Sequence, residues 1–206
     1  MTAEEYRFEK ILFLDIDGVL NENGPSYDMQ DIFFERLSRI IKATEAKIVL
    51  SSSRRFSYLR YQKYGRESIS EETKQFVDML EKYGLEILDI TDDLNGGATS
   101  RPREIFKWLV ECDEDKINTV GPICILDDDS GFAWGILTPY VVLTRVALND
   151  EEYQKKRDKF PKDEFYFVDK YDYGISEENV QQAIDILNSN PYLEKRKSDV
   201  NWKNNF

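Results

Sequence analysis

The stretch "ILFLDIDGVL", residues 11–20, drives an apolar run into two carboxylates one residue apart, Asp15 and Asp17, followed by a glycine. Acids recur after a second apolar run, "ICILDDD", as Asp127, Asp128 and Asp129. A third apolar run, "KIVLSSSRR", ends in hydroxyls and guanidinium groups: Ser51, Ser52, Ser53, Arg54 and Arg55. Carboxylates gathered from separate strand ends repel and raise one another's pKa. A hard divalent cation relieves that repulsion, and oxygen-only ligation with an incomplete protein cage favours Mg²⁺. Adding a hydroxyl and a guanidinium makes such a site a cradle for phosphate. One carboxylate can then attack phosphorus, and a second, two residues on, can protonate the leaving group and later activate water.

These residues need a scaffold that brings strand ends together. Strands are expected at 10–16, 46–51, 85–90 and 123–127, with further candidates at 140–144 and 164–169. Amphipathic helices are expected over 28–46, with Ile32, Phe33, Leu37, Ile40 and Ile41 at helical spacing, and over 70–84, 101–112 and 176–190. Residues 149–164 read as a solvated loop or short helix. Alternating apolar strands and amphipathic helices specify an α/β fold, a Rossmann-like, doubly wound parallel sheet. Ligands of such sheets lie beyond the carboxyl ends of the strands. Residues 1–190 are expected to form a single domain, followed by a polar tail, 191–206, in which Trp202 and Phe206 could dock.

Composition narrows the chemistry. The 206 residues include no histidine, which excludes Ser-His-Asp and Cys-His catalysis and histidine-ligated zinc within this chain. Cys112 and Cys124 make no disulfide scaffold, and Cys124, inside an apolar run, reads as a small buried hydrophobe. The charged N-terminus lacks the apolar core of a secretory signal. No run approaches the ~18 apolar residues of a spanning helix. A cytoplasmic location and no membrane partner are therefore expected. The net charge of −12 disfavours nucleic acid on average. Residues 54–66 are a local exception, with five cations (Arg54, Arg55, Arg60, Lys63, Arg66), three tyrosines and no acid. Aromatics interleaved with arginine suit stacked bases and backbone phosphates, although Tyr58, Tyr61 and Tyr64 also fit a packed helix face.

The four motifs "DIDGVL", "KIVLSSSRR", "RPREIF" and "ICILDDD", in that order, resemble those of the haloacid dehalogenase (HAD) superfamily. With the later "GIS", they are most similar to the small HAD-like phosphatase domains of RNA-repair proteins. The resemblance implies an Mg²⁺-dependent phosphomonoester phosphatase. Asp15 would be the nucleophile and a metal ligand. Asp17 would be the acid–base, its backbone carbonyl also on the metal. Ser51 would bind the transferring phosphoryl group, with Ser52 and Ser53 as alternatives. Arg101 would stand for the lysine usual in the third motif, with Arg103 and Lys107 as alternative cations. Asp127 and Asp128 would complete the metal site. Ser52, Arg54, Arg55 and Arg103 are the candidate substrate contacts.

Caps in this superfamily close over small substrates. Here 28 residues separate Gly18 from Lys47 and 49 separate Ser51 from Arg101, too few in either gap for a full cap domain beside the expected elements. The expected site is open, suiting a phosphate on a nucleotide or a polynucleotide end. A phosphoprotein or small metabolite is the alternative substrate, and a non-catalytic binding module the alternative class.

Overall fold

The computed structural model describes residues 9–22, 28–94, 100–115, 120–158 and 170–189. The strand expected at 164–169 and the tail, with Trp202 and Phe206, lie outside them. In chain order the elements are β1 (Glu9–Leu14), α1 (Asp31–Thr44), β2 (Lys47–Leu50), α2 (Arg55–Tyr64), α3 (Glu71–Tyr83), β3 (Ile87–Ile90), α4 (Arg101–Asp115), β4 (Val120–Asp127), β5 (Val141–Leu143), β6 (Val146–Ala147), α5 (Asp150–Asp158), β7 (Tyr171–Asp172) and α6 (Glu177–Ser189). A 3-10 turn joins α2 to α3, and a 3-10 segment, Gly135–Tyr140, leads into β5. No helix among the described residues is long and apolar enough to cross a membrane.

Five strands pair in parallel in the order β3-β2-β1-β4-β5. The chain winds outward from β1 through β2 to β3, then crosses back to β4 and β5, so the winding reverses at β1. Alternation along each strand sorts the core into two layers. Leu12, Leu14, Ile48, Leu50, Cys124, Leu126 and Val142 pack with side chains of α1, α3 and α6. Ile11, Phe13, Val49, Ile123 and Ile125 pack with Ile105, Trp108 and Leu109 of α4 and with the 3-10 segment. Trp108 meets Phe13 edge-on, with ring centroids 5.3 Å apart. The sheet is therefore covered on both faces, the doubly wound α/β arrangement expected from the strand–helix alternation.

The differences from expectation have local causes. Helix α1 starts at Asp31 rather than residue 28, because Met29 bridges Asn21 and the Gln30 amide donates to the Leu20 carbonyl. Its buried face carries Phe33, Phe34, Leu37 and Ile40, whereas Ile32 is exposed. Strand β4 begins at Val120, three residues earlier than expected, where Glu9 pairs with it. Helix α5 and the antiparallel β6–β7 pair form a small excursion between β5 and α6.

Gly174, the glycine of "GIS", takes φ +102 and donates its amide to the Gly18 carbonyl. Its bare Cα lies against the ring of Phe33, which a Cβ would strike. Gly174→Ala should therefore cost about 3 kcal/mol, combining overpacking with a backbone conformation unfavourable to alanine. Urea denaturation measures it, and a loss below ~1 kcal/mol would refute this packing.

Candidate active site at the carboxyl edge of the sheet

Register puts the candidate side chains at one level. Leu14 pairs with Leu50 on one side and Leu126 on the other, and Leu50 pairs with Ile90. Asp15, Ser51, Asp127 and Thr91 are the next residues along each strand. Backbone hydrogen bonds carry the ladder across that step: Asp15 N to Leu126 O at 3.0 Å, Ser51 N to Leu14 O at 2.8 Å and Thr91 N to Leu50 O at 3.0 Å. The three leucines face the α1 layer. Strand alternation turns the following residues toward the opposite face, where α4 begins with Arg101.

Carboxylate oxygens of Asp15, Asp127 and Asp128 all lie within 4.8 Å of one another. Asp15 and Asp127 are buried. Arg101 Nη1 bridges them, 2.8 Å from Asp15 Oδ2 and 2.7 Å from Asp127 Oδ2. Backbone amides take the remaining oxygens: Ile16 N donates to Asp15 Oδ1 at 2.7 Å, and Asp129 N to Asp127 Oδ1 at 2.8 Å. The Arg101 guanidinium also lies over the Phe132 ring, 5.6 Å from its centroid.

One guanidinium cannot neutralise three carboxylates. Burial, then the Asp15 charge, pushes Asp127 well above the usual carboxylate range. Burial, then the charges of Asp15 and Asp129, pushes Asp128 up to about 7. Burial opposes the charge of Arg101, but Asp15 and Asp127 outweigh it and hold the guanidinium protonated. Surplus negative charge on clustered oxygen donors fits a hard divalent cation, with Asp15, Asp127 and Asp128 as the residues able to hold it. Gly18 makes the cluster compact. It adopts φ +71, and its missing Cβ leaves the space that the Asp128 carboxylate fills.

The other expected residues divide by position. Asp17 stands outside the cluster: Arg54 Nε lies 2.8 Å from its Oδ1, and Asn21 Nδ2 donates to the same oxygen at 2.9 Å. Ser51 is buried at the site level, its Oγ accepting from Thr91 Oγ1 at 3.4 Å. Ser52, expected at the substrate, is fully buried, and its Oγ accepts the Arg54 amide at 3.2 Å, shaping the entry to α2. Arg55, also expected at the substrate, is buried instead in a bidentate pair with Glu104, at 2.8 and 3.0 Å. Arg103 and Lys107 line a groove of about 520 Å³ with Leu94, Phe106, Trp134 and Ile136, and Lys107 pairs with Asp92. Of the three cations weighed for the third motif, Arg101 is the one ion-paired to the carboxylate cluster.

Three participants escaped the sequence reading. Asn21 orients Asp17, four residues before it, and accepts the Gly18 amide at 2.8 Å, just past the motif, where no pattern marks it. Thr91 sits level with Ser51 only because β3 pairs with β2. Glu104 had a faint signal: it lies beside Ile105 and four residues before Trp108, on the side of α4 that its apolar residues mark as inward. It receives Ser100 Oγ at 2.6 Å and the Leu94 amide at 3.4 Å as well as Arg55.

Removing Arg55 strands the Glu104 charge, whose side chain is 1% exposed. Arg55→Ala should cost about 3–5 kcal/mol, whereas Arg60→Ala on the exposed side of α2 should stay within ~0.5 kcal/mol. Equal urea midpoints for the two variants would contradict the buried pair. The raised carboxylates give a second test. Their folded pKa values lie above the ordinary 3.8, so the folded state holds more protons than the unfolded chain. Metal-free stability should therefore fall as pH rises from about 4 to about 8. Asp128→Asn should reduce that fall and raise the metal-free melting temperature at pH 8. Mg²⁺ should then stabilise the parent protein more than the variant, and identical melts with and without Mg²⁺ for both would refute the cluster as a cation site.

The residues that build this edge lie within a stretch, 11–180, that matches the family model of the HAD domain in Swiss Army Knife RNA repair proteins. No curated protein and no solved structure matches the chain. Its doubly wound sheet, its acids after β1 and β4 and this match over most of its length agree: the chain belongs to the HAD domain family of Swiss Army Knife RNA repair proteins.

Proposed function

We propose that the domain is an Mg²⁺-dependent phosphomonoesterase that works through an aspartyl-phosphate on Asp15 and acts on terminal phosphates of polynucleotides. The observation that carries the reading is the meeting of Asp15, Asp127 and Asp128 within 4.8 Å, with Arg101 bridging two of them. Asp15, Asp127 and Asp128, with the Asp17 carbonyl, would hold Mg²⁺, which supplies charge neutralisation for the phosphoryl group and the carboxylates.

The chain's own residues supply the rest. An Asp15 carboxylate oxygen attacks phosphorus as the bond from phosphorus to the leaving oxygen breaks. Asp17 delivers a proton to that oxygen, leaving Asp15 phosphorylated. Asp17, now a carboxylate, takes a proton from water as the water oxygen attacks phosphorus. The bond between Asp15 and phosphorus breaks, releasing inorganic phosphate and restoring Asp15. Arg101 contacts both carboxylates through Nη1, so its planar fork keeps further donors for phosphoryl oxygens. Ser51 accepts from Thr91 and keeps its own hydroxyl proton to donate. Arg54 must exchange Asp17 for substrate before Asp17 can act as an acid, so substrate phosphate competing for Arg54 would favour turnover.

The family description supports a polynucleotide substrate, and so does the shortness of the segments that would have to supply a cap. The net charge of −12 favours a second substrate class, a phosphoprotein or small metabolite. Release of phosphate from p-nitrophenyl phosphate with Mg²⁺ should fall by about 10³-fold or more in Asp15→Asn. Equal turnover by variant and parent would end the enzyme reading. Across a substrate panel, polynucleotide activity should fall steeply with ionic strength while metabolite activity changes little.

A further inference from the structure

The five cations of residues 54–66 do not form one basic patch. Arg54 is held by Asp17, Arg55 is buried against Glu104, and Arg66 pairs with Asp78 and Glu81. Arg60 and Lys63 remain on the outer side of α2, both exposed, and neither pairs with a carboxylate among the described residues. Around them the helix exposes Phe56 by 54%, Leu59 by 43% and Tyr64 by 64%. Phe56, Leu59, Arg60 and Lys63 follow i, i+3, i+4 and i+7 spacing, so they form one stripe. The inner side of α2 is already occupied, with Tyr58 set edge-on to Phe76 at 5.9 Å and tilted against Tyr61 at 5.8 Å. Lys63 lies over the Tyr64 ring, 5.0 Å from its centroid, and Arg55 over the Phe56 ring at 5.6 Å, while both rings stay more than half exposed. The stripe is thus not needed for packing, and exposed apolar side chains grouped with cations that no described carboxylate neutralises mark a binding surface.

We propose that the outer stripe of α2 is a platform for single-stranded polynucleotide, holding the strand that leads away from the carboxylate site. An anionic chain with flat apolar rings satisfies both halves of the stripe: bases stack on Phe56 and Tyr64, and phosphates meet Arg60 and Lys63. The platform is continuous with the site, because α2 begins four residues after Ser51 and Arg54 at its entry touches Asp17. Phe56 to Lys63 spans about 10 Å at the helical rise, room for a short run of nucleotides. Placing the strand's terminal phosphate at Asp15 rests on the phosphatase reading. Binding of the strand itself does not.

The test measures binding and turnover separately. Fluorescence anisotropy of a labelled, single-stranded oligoribonucleotide ending in a 3′-phosphate, titrated with Asp15→Asn protein at several salt concentrations, gives affinity and its salt slope. Adding Arg60→Ala and Lys63→Ala should weaken binding about tenfold and reduce the log–log slope by about 1.4, the value for two phosphate contacts on a single strand. Adding Phe56→Ala instead should weaken binding about tenfold with the slope unchanged. In the otherwise unaltered protein, the same α2 substitutions should leave kcat/KM for p-nitrophenyl phosphate unchanged. Failure of the parent to bind the strand, or an unaltered slope in the Arg60/Lys63 variant, would overturn the platform. So would sedimentation showing that Phe56→Ala abolishes self-association without touching strand affinity, since the stripe would then be a contact between copies of the chain. If the strand binds as expected but no phosphate ester turns over, the phosphatase reading falls and the platform stands.

Discussion

Carboxylate crowding at the carboxyl edge of the sheet is the constraint around which the rest is arranged. Parallel pairing brings the residues after Leu14 and Leu126 to one level, and both are aspartates. A fold would ordinarily keep two such groups apart or in water. Here both are buried, with Asp128 beside them. Arg101 stands between two of the three, and burial, followed by the charge of Asp15, still raises the proton affinities of Asp127 and Asp128. Buried carboxylates with raised proton affinities, gathered at one sheet edge, make this the candidate site.

The position of Arg101 depends on the start of α4, and that start is anchored from beneath. Glu104, one turn in, collects Ser100, the Leu94 amide and both terminal nitrogens of Arg55. A buried ion pair contributes little net stability against an apolar alternative, but breaking it is costly, so it enforces geometry. It ties the first turn of α2 to the first turn of α4, the two helices that carry Arg54 and Arg101 toward the carboxylates. Arg55 Nε is buried without a partner, a local cost accepted for that tie. On the other side, Gly18 and Gly174 let the loop after β1 lie against Asp128 and the segment before α6.

Much of this was legible because it is periodic or local. Strand alternation, helical spacing and the acids after β1 and β4 all report on side chains near one another in sequence. On α1, Phe33, Leu37 and Ile40 are buried as their spacing implies and Ile41 packs beside them, whereas Ile32 faces solvent and Phe34 completes the buried face. The two arginines that open α2 part ways for a geometric reason. Two adjacent arginines in a basic stretch look alike, yet successive helical positions differ by about 100° in direction. Arg54 turns toward Asp17, and Arg55 turns inward to a carboxylate 49 residues away.

From the sequence alone came the fold class, the family likeness and the candidate acids after β1 and β4, because each is carried by residue type and short-range spacing. The tertiary structure decided which cation joins those acids, which arginines are buried in structural pairs, and that Asn21, Thr91 and Glu104 take part. Those outcomes depend on strand register and on helices meeting across the sheet. Both are long-range choices that bring together residues with no pattern linking them along the chain.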